Sequence, residues 1–235
     1  MPEEAATPDS MRRKAMDLIP GLVRLDGARI VDVGCGDGAL VRALAKRGAH
    51  VTGVEVQDPA LDKARGATPV ADEQYLKGAG EALPLPDGCA DVVIFMNSLH
   101  HVPQADMGKA LEEAARVLVP GGMVLVNEPE ATGDYFKLTK LLDDETEVRL
   151  AAYAAIKAVR VLEPVEEVFY LNPVKHDDFQ SFTDRMVGID PTRRSLLQQR
   201  DEELRALFEQ VGERRDGAIW FDQPARINLL RKPMP

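Results

Sequence analysis

The chain has 235 residues, 45% of them apolar, with a formal net charge of −10 and two cysteines. That length suits one α/β domain with room for an insertion, and the apolar fraction supports a substantial core. The acidic balance argues against a dedicated phosphate-backbone binder, which carries a basic face; Cys35 and Cys89 lack metal-type C-x-x-C spacing and form no disulfide framework, so a reducing cytoplasm is the expected compartment.

Residues 1–8 of "MPEEAATPDS" read as disordered, with no apolar signal core. Asp9 or Ser10 is a candidate cap for a helix "MRRKAMDLI" that stops near Pro20-Gly21. "RIVDVG" then reads as a buried strand over Arg29–Val33. "GALVRALAKRG" reads as a helix with Leu40, Val41, Leu44 and Ala45 on one face and Gly48 as its stop. "HVTGVEV" is a second strand, "PALDKARGA" a short helix and "EQYLKG" a third strand. "ADVVIFMNS" is a fourth strand after the turn Pro86-Asp87-Gly88. "DMGKALEEAARVL" is an amphipathic helix closed by Pro120-Gly121-Gly122, and "MVLVNEP" is a fifth strand. The strands are Val- and Ile-rich runs rather than alternations, as expected where helices cover both sheet faces. The pattern is α/β, a doubly wound and mostly parallel sheet, in which ligands bind at the carboxyl ends of the strands.

The remainder is mostly helical. "TGDYFKLTKLLDDETEVRLAAYAAIKAVRVLEP" is one long helix or two shorter ones, and "EEVFYLN" is a short strand. "HDDFQSFTDRMVG" and "RRSLLQQRDEELRALFEQVG" are further helices, the first capped by Asp177 or Asp178. "GAIWFDQPARINLLRKP" reads as a terminal hairpin bent near Gln223-Pro224. The expected organisation is one domain over 1–235: a tail and helix (1–28), a ligand-binding half (29–129), a helical lid or substrate-binding insertion (130–200), and a final helix with terminal strands (201–235). No apolar run reaches the ~18 residues that a membrane span needs, and no metal site is expected. His176-Asp177-Asp178 is the one run that invites a metal reading, and a helix N-terminus explains it better.

The glycine turn after the first strand carries the chemistry. Gly34, Gly36 and Gly38 follow G-x-G-x-G, not the G-x-G-x-x-G of dinucleotide binders. Glycine allows positive φ and close backbone approach to a ligand. Glu55 ends the second strand 21 residues after Gly34, where a carboxylate accepts ribose hydroxyls. Asp32 and Asp37 flank the turn and would repel phosphate but not a cation. The combination points to an adenosine ligand that lacks phosphate and carries positive charge.

"VDVGCGDG" resembles the first motif of class I S-adenosylmethionine-dependent methyltransferases, and three further stretches continue the resemblance in order. "VTGVEV" is similar to the second-strand motif with its ribose-binding acid. "GAGEALPLPDGCADVVIFMNSLHHV" resembles the small-molecule branch that includes ubiquinone-biosynthesis C-methyltransferases, and "ALEEAARVLVPGGMVLVNEP" its R-x-L-x-P-G-G turn. The likeness covers residues 29–129. It implies a seven-stranded Rossmann-like sheet and S-adenosylmethionine as cofactor, with S-adenosylhomocysteine as product. It also implies roles. Gly34, Cys35 and Gly36 pack backbone on the methionine part, and Asp32 orients the turn or reaches the amino group. Glu55 holds ribose, Val56 packs on adenine, Gly80, Glu81 and Ala82 flank the adenine ring, and Asn97 lies near the sulfonium. Ala79 departs from the pattern, since many relatives carry an acid there for the adenine amine.

His100 and His101 follow the fourth strand at the acceptor mouth, either as a general base or as the start of a helix with one His packed. Cys35 reads as a small packing residue. Arg185, Arg193, Arg194, Arg214 and Arg215 either hold an anionic substrate or are solvated, and Trp220, Phe221, Tyr135, Phe136 and Tyr153 either line a pocket or fill the core. The expected function is methyl transfer to a small molecule. Nucleic acid is disfavoured, because the fourth strand ends in "NSLHH" without an N-P-P-aromatic signature. The alternatives are a non-catalytic or regulatory cofactor-binding protein on the same fold and, against the glycine spacing, a dinucleotide oxidoreductase. The sequence sets no oligomeric state.

Overall fold

The computed structural model describes residues 11–235, so the expected cap at Asp9 or Ser10 and the reading of residues 1–8 lie outside the described residues. The chain divides into two compact units. One comprises Ala15–Glu128, Val148–Val168 and Arg226–Pro235; the other comprises the described residues up to Lys14, with Pro129–Glu147 and Phe169–Ala225.

The first unit carries α1 (Ala15–Leu22), β1 (Arg29–Val33), α2 (Ala39–Ala45), β2 (His50–Glu55), α3 (Asp58–Gly66), β3 (Gln74–Lys77), β4 (Ala90–Met96) and α4 (Met107–Val117). β5 (Leu118–Pro129), α6 (Thr146–Ala158), β6 (Glu163–His176) and β8 (Ala218–Arg231) belong to it in part: up to Glu128, from Val148, up to Val168 and from Arg226, respectively. Between α6 and β5 in chain order stands α5 (Asp134–Lys140), and before β8 come α7 (Phe179–Ile189), α8 (Arg193–Gln199), α9 (Asp201–Val211) and β7 (Glu213–Arg215). The strand order is β3-β2-β1-β4-β5-β8-β6, with β7 paired to β8. β1 pairs in parallel with both β2 and β4, β2 with β3, and β4 with β5. The order therefore reverses between β1 and β4, which places a ligand crevice at the carboxyl ends of those two strands.

Burial explains why these segments form. Ile30, Val31, Asp32 and Val33 of β1 are all buried, as befits a strand covered on both faces. α4 buries Met107, Ala110, Leu111, Ala114, Ala115 and Val117 at helical spacing, and they pack in one cluster with Val93 and Phe95 of β4 and Val124 and Val126 of β5.

Several expectations change. The sheet has eight strands because a three-residue β7 joins it. No hairpin bends at Gln223-Pro224: β8 is continuous from Ala218 to Arg231. Pro224 has no N–H to satisfy, and its carbonyl accepts from the Glu130 N–H at 2.8 Å. The hairpin is β7–β8, turned by Asp216 and Gly217, both at positive φ, which is the Asp-Gly signature of a tight turn. "EEVFYLN" grows into a 14-residue strand through Pro164 and Pro173, which an edge position tolerates. The expected helix over 193–212 breaks at Arg200 (φ −112°, ψ 19°), and α9 starts with Asp201, Glu202 and Glu203, charges that suit a helix N-terminus. Pro20 lies inside α1, two residues before its end.

The second unit has an aromatic core. His176 is buried beside Tyr135, Phe182, Phe208 and Phe221, with its Nε2 at 3.3 Å from the Tyr135 hydroxyl. Burial, followed by the charge of Arg185, pushes the His176 pKa down to about 4. Asp178 caps α7, accepting from the Ser181 N–H at 2.7 Å in a capping box. Arg193 pairs with Asp143 at 2.7 Å, and the Arg215 guanidinium lies over the Trp220 ring.

Candidate active site

The turn from β1 into α2 is fastened before any ligand is considered. The N–H groups of Gly34 and Cys35 donate to the Val54 carbonyl at 2.8 and 3.1 Å, tying the turn to β2. A Cβ on Gly34 would stand 2.6 Å from the Ser98 Cβ, and the Ser98 hydroxyl donates to the Val33 carbonyl. Gly34 thus lets the end of β4 close onto β1. Gly36 differs: its φ is +56°, and nothing lies within 4 Å of where its Cβ would be. Its open face is the cradle. Gly34→Ala is therefore expected to destabilise the fold by about 2–4 kcal/mol, combining strain with overpacking, and Gly36→Ala by only about 1 kcal/mol. Urea titration of both variants checks this, and equal losses would contradict the division.

Cys35 is buried, and its Sγ lies 2.7 Å from where a Gly53 Cβ would stand. Burial and the charges of Asp32 and Glu55 push its thiol up to about 12, so it packs and does not act as a nucleophile. The two acids of the turn part company. Asp37 is exposed and accepts from the Ala39 N–H at 3.1 Å, bracing the start of α2. Asp32 is 1% exposed, and its Oδ1 is buried without a hydrogen-bond partner among the described residues. Desolvation, followed by the charge of Glu55, raises the Asp32 carboxyl to about 7.

Glu55 is 6% exposed, and both of its carboxylate oxygens accept hydrogen bonds. Its Oε1 accepts from the N–H groups of Val56 and Gln57 at 2.9 and 2.8 Å, and its Oε2 from Gly36 at 2.9 Å. A carboxylate oxygen has two lone pairs. Oε1 is saturated, and Oε2 keeps one lone pair for a ligand hydroxyl. Val56, beside it, is an apolar side chain left 58% exposed.

Gly80 faces the end of β1, with its Cβ position 3.3 Å from Val33 Cγ1. Ala82 donates its N–H to the Ala79 carbonyl, closing a turn around Gly80 and Glu81. Asn97 sits at φ +55°, and its Oδ1 accepts from Asn127 Nδ2 at 2.8 Å. The structure brings the glycine turn, Glu55, Ser98 and Gly80 together around the ends of β1, β2 and β4.

The two histidines separate. His100 is buried and His101 exposed, with ring centroids 4.0 Å apart. The partner that sequence reading missed is Glu128, buried near the end of β5. Its Oε1 accepts from the Leu99 N–H at 2.9 Å, and its Oε2 contacts His100 Nδ1. A carboxylate inside the apolar run "MVLVNEP" was the available signal, since a buried charge needs a partner.

The reversed strand order, the glycine turn and the acid closing β2 define an α/β nucleoside-binding fold of the methyltransferase kind. Residues 31–126 match the family model described as a methyltransferase domain. The chain is similar to a ubiquinone biosynthesis O-methyltransferase of Paracidovorax citrulli, 39% identical over 112 residues, 45% of each chain. It is similar to the 27-O-demethylrifamycin SV methyltransferase of Amycolatopsis mediterranei, 32% identical over 132 residues, 54% of this chain and 48% of the other. A ubiquinone biosynthesis O-methyltransferase of Xylella fastidiosa is 33% identical over 162 residues, 66% of this chain and 63% of that one. The chain thus spans between 45% and 63% of the length of these curated relatives. Among solved structures, a Bacillus halodurans protein assigned as a methyltransferase superposes with TM-score 0.64 at 20% identity, covering 93% of this chain and 98% of that one. The cyclase SpnF gives 0.61 at 20% identity, covering 94% and 80%. At such identities the likeness shows the fold. Residues 31–126 are thus the stretch that is similar to a methyltransferase domain, a likeness that implies S-adenosylmethionine as the cofactor. The residues fit a cationic cofactor: Asp32 offers a buried carboxylate oxygen with no partner of its own, and Gly36 offers open space beside it.

Proposed function

We propose that the chain transfers a methyl group from S-adenosylmethionine to a hydroxyl of a small-molecule acceptor, leaving S-adenosylhomocysteine. The observation that carries this reading is the unpartnered Asp32 oxygen, because burying a carboxylate without a partner is unfavourable and a cationic amino group relieves it. Asp32 receives that amino group, and the backbone of Gly34, Cys35 and Gly36 lies along the methionine part. Glu55 takes a ribose hydroxyl on its remaining Oε2 lone pair. Val56 and the Gly80-Glu81-Ala82 turn flank the adenine, and Asn97 lies nearest the acceptor.

When bound, the cofactor supplies an electrophilic methyl carried on a sulfonium. The chain's own work at the acceptor is proton removal. Glu128 engages His100 Nδ1, so Nε2 is the nitrogen that takes the hydroxyl proton, and the exposed His101 beside it passes the proton to solvent. An oxygen acceptor agrees with the two relatives named O-methyltransferases and with the one named for 27-O-demethylrifamycin SV. Residues 130–200 lie outside the matched segment and supply acceptor recognition. Nucleic acid is not the acceptor in this reading. Among the described residues no helix is long and apolar enough to cross a membrane, and two unpaired cysteines suit a reducing cytoplasm.

Calorimetric titration with S-adenosylmethionine and S-adenosylhomocysteine tests the reading, with Glu55→Gln alongside. Gln keeps an acceptor for the backbone N–H groups that Glu55→Ala would strand. Micromolar binding by the wild type and a roughly tenfold or greater loss in Glu55→Gln are expected, in line with a charge-assisted hydrogen bond. A folded wild type that binds neither ligand would overturn it.

A further inference from the structure

The segment "LPLPDG", residues 83–88, follows directly on the Gly80-Glu81-Ala82 turn. Pro84 and Pro86 have no N–H, which removes two backbone donors with which this loop could hold itself. It wraps instead around one side chain of α4. Arg116 makes five hydrogen bonds. Nη2 donates to the Leu83 carbonyl at 3.1 Å, while Nη1 donates to the Leu85 carbonyl at 2.9 Å and to Asp87 Oδ1 at 2.7 Å. Nε and Nη2 form a two-pronged pair with Glu113, both at 2.7 Å. Glu113 in turn accepts the Leu83 N–H at 2.9 Å, and the Arg116 carbonyl accepts the Gly88 N–H at 3.2 Å. Both backbone polar groups of Leu83 are thereby held by one Arg–Glu pair. The hold extends backwards along the chain, because the Pro84 ring lies 2.5 Å from where a Gly78 Cβ would stand. Residues 78–84 are closed into a fixed loop.

We propose that Arg116, backed by Glu113, is the positioning residue of the adenine-flanking loop, doing by preorganisation what a carboxylate at position 79 does not do here. This rests on the cofactor reading above. Ala79 provides no side-chain acceptor for the adenine amine, so recognition falls to the shape and backbone of residues 79–82. A loop held rigid loses less conformational entropy on binding. Arginine suits the task because its planar fork reaches carbonyls and a carboxylate at once, whereas a lysine is a single point of charge.

The test uses Arg116→Met and Arg116→Lys, with Glu113→Gln as a milder variant should either fail to fold. S-adenosylhomocysteine and adenosine are titrated into each, and amide exchange is followed at Ala82 and Leu83. The expected result is faster exchange at both amides and a roughly tenfold rise in Kd for both ligands, with Arg116→Lys close to Arg116→Met. With turnover, the KM for S-adenosylmethionine rises while kcat at saturation holds. Adding Ala79→Asp to Arg116→Met recovers part of the affinity, by giving back a direct contact. Folded variants that bind both ligands like the wild type overturn the proposal, whatever their melting temperatures. If the wild type binds neither ligand, the function reading fails separately; unchanged exchange at Leu83 in Arg116→Met then overturns the clamp itself.

Discussion

Asp32→Asn is expected to stabilise the cofactor-free protein at pH 8 and to weaken S-adenosylmethionine binding about 100-fold. Both effects have one source. Burial first, then the charge of Glu55, raises the Asp32 carboxyl in the fold to about 7 from its ordinary value of 3.8. Between those two values the folded protein binds more protons at this site than the unfolded chain does. The site's contribution to stability is therefore full below about pH 4 and is lost as the pH rises through 7. The ceiling on that loss is about 4 kcal/mol at 1.36 kcal/mol per pH unit. Asparagine removes the ionisation but brings an N–H₂ that needs partners, so the net gain at pH 8 is about 1–2 kcal/mol, or a few degrees in Tm. Thermal melts at pH 5 and pH 8 read it: the gain is present at pH 8 and shrinks at pH 5. With the cofactor present the ranking inverts, since the wild type alone offers a carboxylate to the amino group. A variant that matches the wild type's affinity at pH 8 would remove Asp32 from the cofactor site.

That trade-off marks the boundary of what the residues alone disclose. The parallel half was legible, because β1, β4 and β5 contain Val- and Ile-rich or Val- and Leu-rich runs, and Arg29–Val33 forms as read. The Glu55 offset was legible because fold geometry fixes the distance between the glycine turn and the end of β2. Burial was not legible. Asp32 and Asp37 look alike in "VDVGCGDG", yet one is an orphan in the core and the other braces a helix start. Partnerships across elements were hidden too. Arg116 sits in a recognisable motif, but three of its five bonds reach residues around 30 positions earlier. β8 misled for a local reason: Gln223-Pro224 carries a turn signal, while the Gln223 side chain and the Pro224 carbonyl both bond the backbone around Glu130. His100 was placed at the acceptor mouth, but nothing near it in sequence announced Glu128, 28 residues on.

Glu128→Gln carries the second large expected effect, and it separates a base from a bystander. The Glu128 carboxylate meets the His100 ring at Nδ1 and the Leu99 backbone N–H, so it sets both the tautomer and the orientation of the imidazole. Glutamine preserves the shape and one carbonyl acceptor but withdraws the negative charge that stabilises an imidazolium. If His100 Nε2 takes the proton from an alcohol, kcat falls about 10²- to 10³-fold, the range of general acid–base catalysis. The Kd for S-adenosylhomocysteine stays within about twofold, since neither residue is assigned to the cofactor. His100→Ala should lose as much, and the double variant little more, because residues that act as a unit are not additive. The deciding readout is the acceptor. An acceptor already ionised at the assay pH needs no base, and methyl transfer to it should be nearly unaffected by Glu128→Gln, since alignment alone then suffices. A uniform loss across neutral and ionised acceptors would mean that Glu128 only shapes the loop around Leu99 and that the base lies elsewhere. A loss confined to neutral hydroxyls would fix the acceptor atom as oxygen and the proton path through His100 Nε2.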